Sequence, residues 1–188
     1  MEIKDVFLEM PLIETKRTVL RKMNAGDAKD MFEYSSNRKV TKYLSYDHTN
    51  IEDAEKYIQN KVAKYALGEC MIWGIEFKEN KKYIGACGFT DWNTEDKSAE
   101  VAYTLNEDYW GKGIASEIVD ELLEFGFSKM DLNRIEARCW SENDKSTRVM
   151  EKNNMTYEGL LREQVIMKGK HRDLKMYSIL RREYEKKL

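Results

Sequence analysis

The sequence predicts an α+β fold with a mixed central sheet of about seven strands and about four helices. The hydrophobic period alternates between two and 3.6 along the 188 residues, in the order β, α, α, β, β, β, α, β, α, β, β. Three strands in succession are separated only by short polar turns, which gives a meander. The strands on either side of the best amphipathic helix need a crossover instead, and a sheet that mixes both connections is α+β. No long linker and no repeat interrupts the pattern, so residues 1–188 are expected to form a single domain.

The elements follow in order. Arg17–Met23 has a β-branched centre and is the first strand. Gly26-Asp27 opens a helix to about Ser35, with Ala28, Met31 and Phe32 on one face. Residues Asn37–Asn50 are polar and aromatic and are expected as a surface loop or a short helical turn. Asn50 with Asp53 caps a second helix carrying Ala54, Tyr57, Ile58, Val62 and Tyr65. Met71–Phe77 and Tyr83–Phe89 form a hairpin over the turn Lys78–Lys82, and Ser98–Leu105 follows after Asn93–Asp96. Past Trp110-Gly111-Lys112-Gly113, the residues Ile114, Ile118, Leu122 and Phe125 mark the longest apolar stripe, with Glu117, Asp120, Glu121 and Glu124 facing water. Asn133–Cys139 is a strand and Asp144–Lys152 a short helix. The last two strands are Tyr157–Met167 and Leu174–Leu180, around the turn Lys168–Arg172.

Composition narrows the class. Lys plus Arg number 32 and Asp plus Glu 34, a net charge of −2, so the basic excess of a nucleic-acid binder is missing. No apolar run approaches the ~18 residues of a membrane span. Met1-Glu2-Ile3-Lys4-Asp5 does not begin a secretion signal. Cys70, Cys87 and Cys139 lack CxxC spacing and fit free thiols in a reducing cytoplasm. His48 and His171 lie far apart, so no metal site is expected.

Two segments carry the chemistry. A strand, Ala99–Leu105, feeds Gly111-Lys112-Gly113, which opens the long helix. The first N–H groups of a helix lack internal partners and sit at the positive end of its dipole, so this junction can cradle a phosphate or pyrophosphate. A tight turn that merely needs two glycines is the alternative. It is neither a Walker loop nor a dinucleotide fingerprint, because Gly-Lys-Ser/Thr is missing and Ser116 stands where a third glycine would be. The second segment is Ser141–Met155, where a strand ends and a short helix begins near Asn143 and Ser146; helix capping alone would also explain those two residues.

Together, Glu100–Tyr103, Tyr109–Glu117 with its Trp-Gly-Lys-Gly-Ile-Ala-Ser-Glu string, Asn143–Met155, and Gly169–Asp173 with Tyr177-Ser178 resemble the GNAT superfamily of acetyl-CoA-dependent N-acetyltransferases. Within it the chain looks most like the RimJ/RimL-type ribosomal-protein N-terminal acetyltransferases, over about Leu12–Tyr184. The resemblance implies acetyl-CoA as co-substrate. Its pyrophosphate would meet the N–H groups of Gly111, Lys112, Gly113, Ile114, Ala115 and Ser116. The pantetheine arm would run along Tyr103, Thr104 and Leu105 and be contacted by Asn143. Ser146 would protonate or bind the leaving thiolate. Glu100, in Ala99-Glu100-Val101, matches a Glu that is the general base in the histone-type branch; a structural role is the alternative, and Glu136 is the next candidate. Departures from the family are Asp108, expected to point outward, Met150 in place of an acid Tyr, and Asn154-Met155 in place of Gly-Phe.

Direct attack by the amine in a ternary complex is expected, since no nucleophile paired with a base is evident. Cys139 is read as a buried thiol rather than an acyl carrier. The acceptor implied is a peptide or protein N-terminus. A small amine such as an amino acid, amino sugar or polyamine is the rival, and a non-catalytic acyl-CoA-sensing module is a third reading. Acceptor lips are expected at Asn37–Asn50, with Tyr43, Tyr46 and His48, and at Lys168–Asp173, with Lys170, His171 and Arg172. No nucleic-acid or membrane partner is expected. A homodimer stays open, because sheets of this kind often pair across subunits.

Overall fold

The computed structural model describes residues 3–186, with side chains from Val6 onward. Met1 and Glu2, the start of the segment read as lacking a leader, lie outside the described residues. The α+β class with a mixed sheet is as predicted. Among the described residues there are eight strands: β1 (Ile13–Glu14), β2 (Thr18–Arg21), β3 (Ile72–Phe77), β4 (Tyr83–Asn93), β5 (Ser98–Leu105), β6 (Arg134–Trp140), β7 (Thr156–Met167) and β8 (Lys170–Leu180). Their order in the sheet is β1-β2-β3-β4-β5-β6-β8-β7. The helices are α1 (Ile3–Glu9), α2 (Ala28–Ser35), α3 (Arg38–Thr41), α4 (Ile51–Ala66), α5 (Ile114–Ser128), α6 (Asp144–Lys152) and α7 (Arg181–Glu185).

The chain forms two compact units. The first holds residues up to Gly88 together with Tyr103–Glu121, and the second holds Phe89–Ala102 and everything from Leu122 on. The strands β4 and β5 and the helix α5 each run from one unit into the other.

In the first unit, β2 pairs antiparallel with β1 and β3, with Leu20 opposite Ile75, and β3 pairs antiparallel with β4. Leu20, Trp73, Ile75, Ile84, Ile114 and Ile118 are fully buried there, so the first turns of α5 close the same core as the sheet. Trp73 satisfies its indole N–H on the Pro11 carbonyl, 2.9 Å away. Gly85 has no room for a side chain, since a Cβ would stand 2.1 Å from the Thr104 carbonyl oxygen.

In the second unit, β5 runs parallel to β6 from Ser98–Glu100 against Arg134–Glu136. The strand β8 is antiparallel to both β6 and β7. Leu122, Leu123 and Phe127 of α5 are buried here, and Gly126 lets the helix close on Ile135, whose Cδ1 would lie 2.7 Å from an added Cβ.

The differences from the sequence reading have physical causes. The strand β1 is two residues long and α3 four, too short for any period to show. The helices α1 and α7 lie at the ends of the chain and span seven and five residues. The strand β4 continues to Asn93, four residues past the expected end at Phe89. The last hairpin turns on two residues, Lys168 and Gly169, with φ of 50° and 73°, rather than on the five of Lys168–Arg172. Two consecutive left-handed residues match the twist of a two-residue hairpin.

Candidate active site

In the first unit, β5 ends at Leu105 and the chain crosses a single 3₁₀ turn, Glu107–Tyr109, before reaching Gly111. Asn106, itself buried, caps that turn by accepting from the Asp108 N–H at 3.1 Å. The Trp110 indole N–H donates to the Leu105 carbonyl at 2.9 Å, which ties the end of the strand to the start of the glycine turn. Asp108 is exposed, as expected of an acid that must keep away from an anion.

Gly111 and Gly113 have φ of 71° and 78°. That left-handed conformation costs an L-residue about 1–2 kcal/mol, so both glycines are required by the backbone. The space beside them is open as well. A Cβ on Gly111 would meet nothing within 4 Å, and one on Gly113 would meet only the Arg17 guanidinium at 3.6 Å. Ile114 then starts α5, and the Glu117 N–H is already bonded to the Gly113 carbonyl. The N–H groups of Ile114, Ala115 and Ser116 therefore face outward from the helix end without intrahelical partners. An anionic group fits this end: the backbone is approachable, donors point along it, and the dipole is positive. Tyr103, Thr104, Ala115 and Ser116 are half-buried, and Leu105 is buried.

In the second unit, Glu100 lies on β5 directly opposite Glu136 of β6. The two carboxylates are kept apart by arginines on the same face of β6. Arg138 is hydrogen-bonded and ion-paired to Glu100 Oε2, and reaches Asp91 at 2.8 Å. Arg134 takes Glu136 at 2.7 Å and Glu158 at 2.6 Å. The Thr90 hydroxyl, at 3.5 Å, also approaches Glu100 Oε2. The Glu100 side chain is only 13% exposed. The guanidinium of Arg134 and the Ser178 hydroxyl hold the Glu158 carboxyl far below its ordinary range, at about 2.

Asn143 caps α6, its Oδ1 accepting from the Ser146 N–H at 3.2 Å. Asn143 therefore does act as a helix cap, through its oxygen; its side-chain amide N–H groups take no part in that bond. Ser146 sits half-buried on the first turn of α6. Asn154 has φ of 58°, so it takes the left-handed place that the family gives to Gly. Cys139 is buried beside Thr147, and burial pushes its thiol up, away from the thiolate an acyl carrier needs.

The proposed lips differ in character. His48 is buried, with Nδ1 2.7 Å from the Ser35 hydroxyl and its ring stacked on Tyr46, so it is packing and not a free grip. Burial pushes its protonation down. Tyr43 is half-buried. Lys170 and His171 are exposed, while the Arg172 guanidinium is stacked over Trp140 at 4.7 Å. Sequence reasoning missed Arg17, Arg134 and Arg138. The last two could have been found, because Arg134, Glu136 and Arg138 alternate and so share one face of a strand. Arg17 joins partners a hundred residues away, which no local pattern reveals.

Residues 17–156 match the acetyltransferase (GNAT) domain family, and the chain belongs to that family. It is 38% identical to the uncharacterised N-acetyltransferase p20 of Bacillus licheniformis, over 93% of this chain and 99% of that one. More distant relatives differ in acceptor. The ribosomal-protein-serine acetyltransferase of Escherichia coli is 28% identical over 68% of this chain and 70% of its own. The spermidine N(1)-acetyltransferase of Vibrio cholerae is 23% identical over 88% and 94%. Among solved structures, a GNAT-family acetyltransferase from Bacillus anthracis superposes with a TM-score of 0.81 at 28% identity, covering 90% of this chain and 98% of that one. The protein is thus an N-acetyltransferase, of a family that uses acetyl-CoA as donor.

Proposed function

We propose that the protein acetylates the N-terminal amine of a peptide or protein, by direct attack on the donor thioester. The observation that carries the donor half is the left-handed Gly111–Gly113 turn at the open end of α5. Gly111 to Ser116 would hold the pyrophosphate through backbone N–H groups, with the Lys112 ammonium nearby. Tyr103, Thr104 and Leu105 would line the pantetheine arm, with Asn143 contacting it. Backbone N–H groups near Tyr103–Leu105 would stabilise the oxyanion.

Ser146 would give a proton to the departing thiolate. Glu100 would take the amine proton through water on Oε1, because Arg138 and Thr90 both engage Oε2. Glu136, engaged by Arg134, is the reserve base. Taking residues 1–188 as one acetyltransferase domain is supported by the three elements that both units share. A cytoplasmic setting is supported by three free, buried cysteines.

The ribosomal-protein-serine acetyltransferase relative and the exposed Lys170 and His171 support a peptide acceptor with an acidic side chain. The spermidine-acetylating relative supports a small cationic amine as the second reading. Thiol release from acetyl-CoA against peptides of one to four residues, and against polyamines, separates the two. A protein N-terminal acetyltransferase gains kcat/KM as residues two to four are added. Equal or better use of spermidine or of free amino acids would replace the first reading with the second.

A further inference from the structure

We infer that Arg17, together with Glu117, is a positioning residue that fixes the anion cradle of α5 in its binding conformation. The inference rests on the cradle reading above. Arg17 sits just before β2, and its guanidinium makes two kinds of contact. Nη1 donates to the Lys112 carbonyl at 2.7 Å. Nε and Nη2 both reach Glu117 Oε2 at 2.9 Å. The Arg17 backbone N–H adds a bond to Glu117 Oε1 at 2.8 Å, and the Thr15 hydroxyl donates to the same oxygen. Thr15 and Thr18 are buried, and Thr15 is held in turn by the Thr18 N–H at 2.9 Å, so the anchor is part of the fold and not a surface pair.

The contact with Lys112 sets a direction. In a planar trans peptide the carbonyl and the following N–H point opposite ways. Holding the Lys112 oxygen on Arg17 turns the Gly113 N–H to the other side and keeps a partial negative charge off the anion's path. A flexible Gly-x-Gly turn has no such preference of its own, because glycine accepts many backbone conformations.

The contact with Glu117 balances a charge. Glu117 lies on the first turn of α5, where a bare carboxylate would occupy the positive end of the dipole and compete with a bound phosphate. Burial pushes this carboxyl up, but the bonds from Thr15 and Arg17 outweigh it and bring the carboxyl below its ordinary range. It is ionised, and Arg17 neutralises it. Arg17 thus turns an acid on the first turn from a competitor into a brace.

The test compares two donors, acetyl-CoA and acetyl-pantetheine, which lacks the pyrophosphate. Wild-type enzyme should prefer acetyl-CoA through KM. Arg17→Ala should raise KM for acetyl-CoA about five- to thirty-fold, the range for a partly buried charge at a helix end, and leave kcat close to wild type. It should leave kcat/KM for acetyl-pantetheine unchanged. Arg17→Lys keeps the charge without the fork and should fall between. Adding Glu117→Gln to Arg17→Ala should recover part of the loss by removing the uncompensated charge.

Equal losses with both donors, or no loss with acetyl-CoA, would overturn the assignment. So would a double variant no better than Arg17→Ala. If wild type treats the two donors alike, the cradle itself is misplaced, and the Arg17 role falls with it. Circular dichroism melts on each variant identify any that fails to fold, and Arg17→Lys then serves as the deciding variant.

Discussion

Ser146 and Glu100 sit in opposite kinds of environment. Ser146 is half-buried on a helix turn that Asn143 already caps, so its backbone is fixed by a bond that leaves the hydroxyl out of the capping interaction. Glu100 is held by an arginine and sits at the end of the parallel register between β5 and β6. Removing a group that acts only in the transition state lowers kcat and leaves KM alone. Ser146→Ala and Glu100→Gln should each lower kcat by roughly 10²–10⁴-fold, as for a positioned acid or base. A variant with near-wild-type kcat would free its residue from the role, and Glu136→Gln would be measured next.

Among elements of the first unit, β4 and β5 approach each other too closely for a side chain between them. The Asn106 N–H donates to the Ile84 carbonyl at 2.7 Å, and the adjacent Gly85 has the Thr104 carbonyl where its side chain would be. The obstacle is backbone, so a rotamer change cannot relieve it. Gly85→Ala should destabilise the protein by about 1–3 kcal/mol or more, the usual cost of overpacking. It should also weaken acetyl-CoA binding, because Thr104 belongs to the stretch assigned to the pantetheine arm. Thermal melts and calorimetric titration read the two effects. Wild-type stability with wild-type donor affinity would show that β5 can shift freely. Legibility at this scale followed length. The long helix α5 and the strands from β3 to β6 declare themselves by period, because each is long enough to repeat it. The elements α1, α3, α7 and β1 do not, because they take their form from what they pack against. The same division runs through the site. Gly111, Gly113, Asn143 and Asn154 mark themselves by backbone chemistry that sequence displays, whereas the partners of Glu100 and Glu117 depend on how the chain folds back.

Across the whole molecule the net charge is small, yet the charges are ordered. Lys and Arg nearly balance Asp and Glu, at 32 against 34. In the second unit they form a ladder on one face of the sheet, from Asp91 through Arg138 and Glu100, then from Glu136 through Arg134 to Glu158. Glu158 gives this ladder a pH signature. Its folded value, about 2, is below the ordinary 4.5, so the unfolded chain binds its proton more readily. Its stabilising contribution is complete above about pH 4.5 and is lost as pH falls through about 2. Glu158→Gln should therefore be less stable than wild type at pH 7, with the gap narrowing between those two values. Urea midpoints along a pH series measure it. A gap that stays constant down to pH 2 would remove Glu158 from acid sensitivity.

The strand β7 stands at the end of the strand order, and its ladder with β8 is broken twice, between Tyr157 and Gly159 and again between Leu161 and Val165. Glu163, inside the second break, has φ of 51°, and its N–H is taken by the Asp173 carboxylate at 2.7 Å. Another chain that met this margin in extended form would find its donors and acceptors out of step at both breaks. Leu160 and Ile166 are exposed here, so a straight margin would invite stacking of copies into aggregates. The two bulges make the margin a poor template for a further strand.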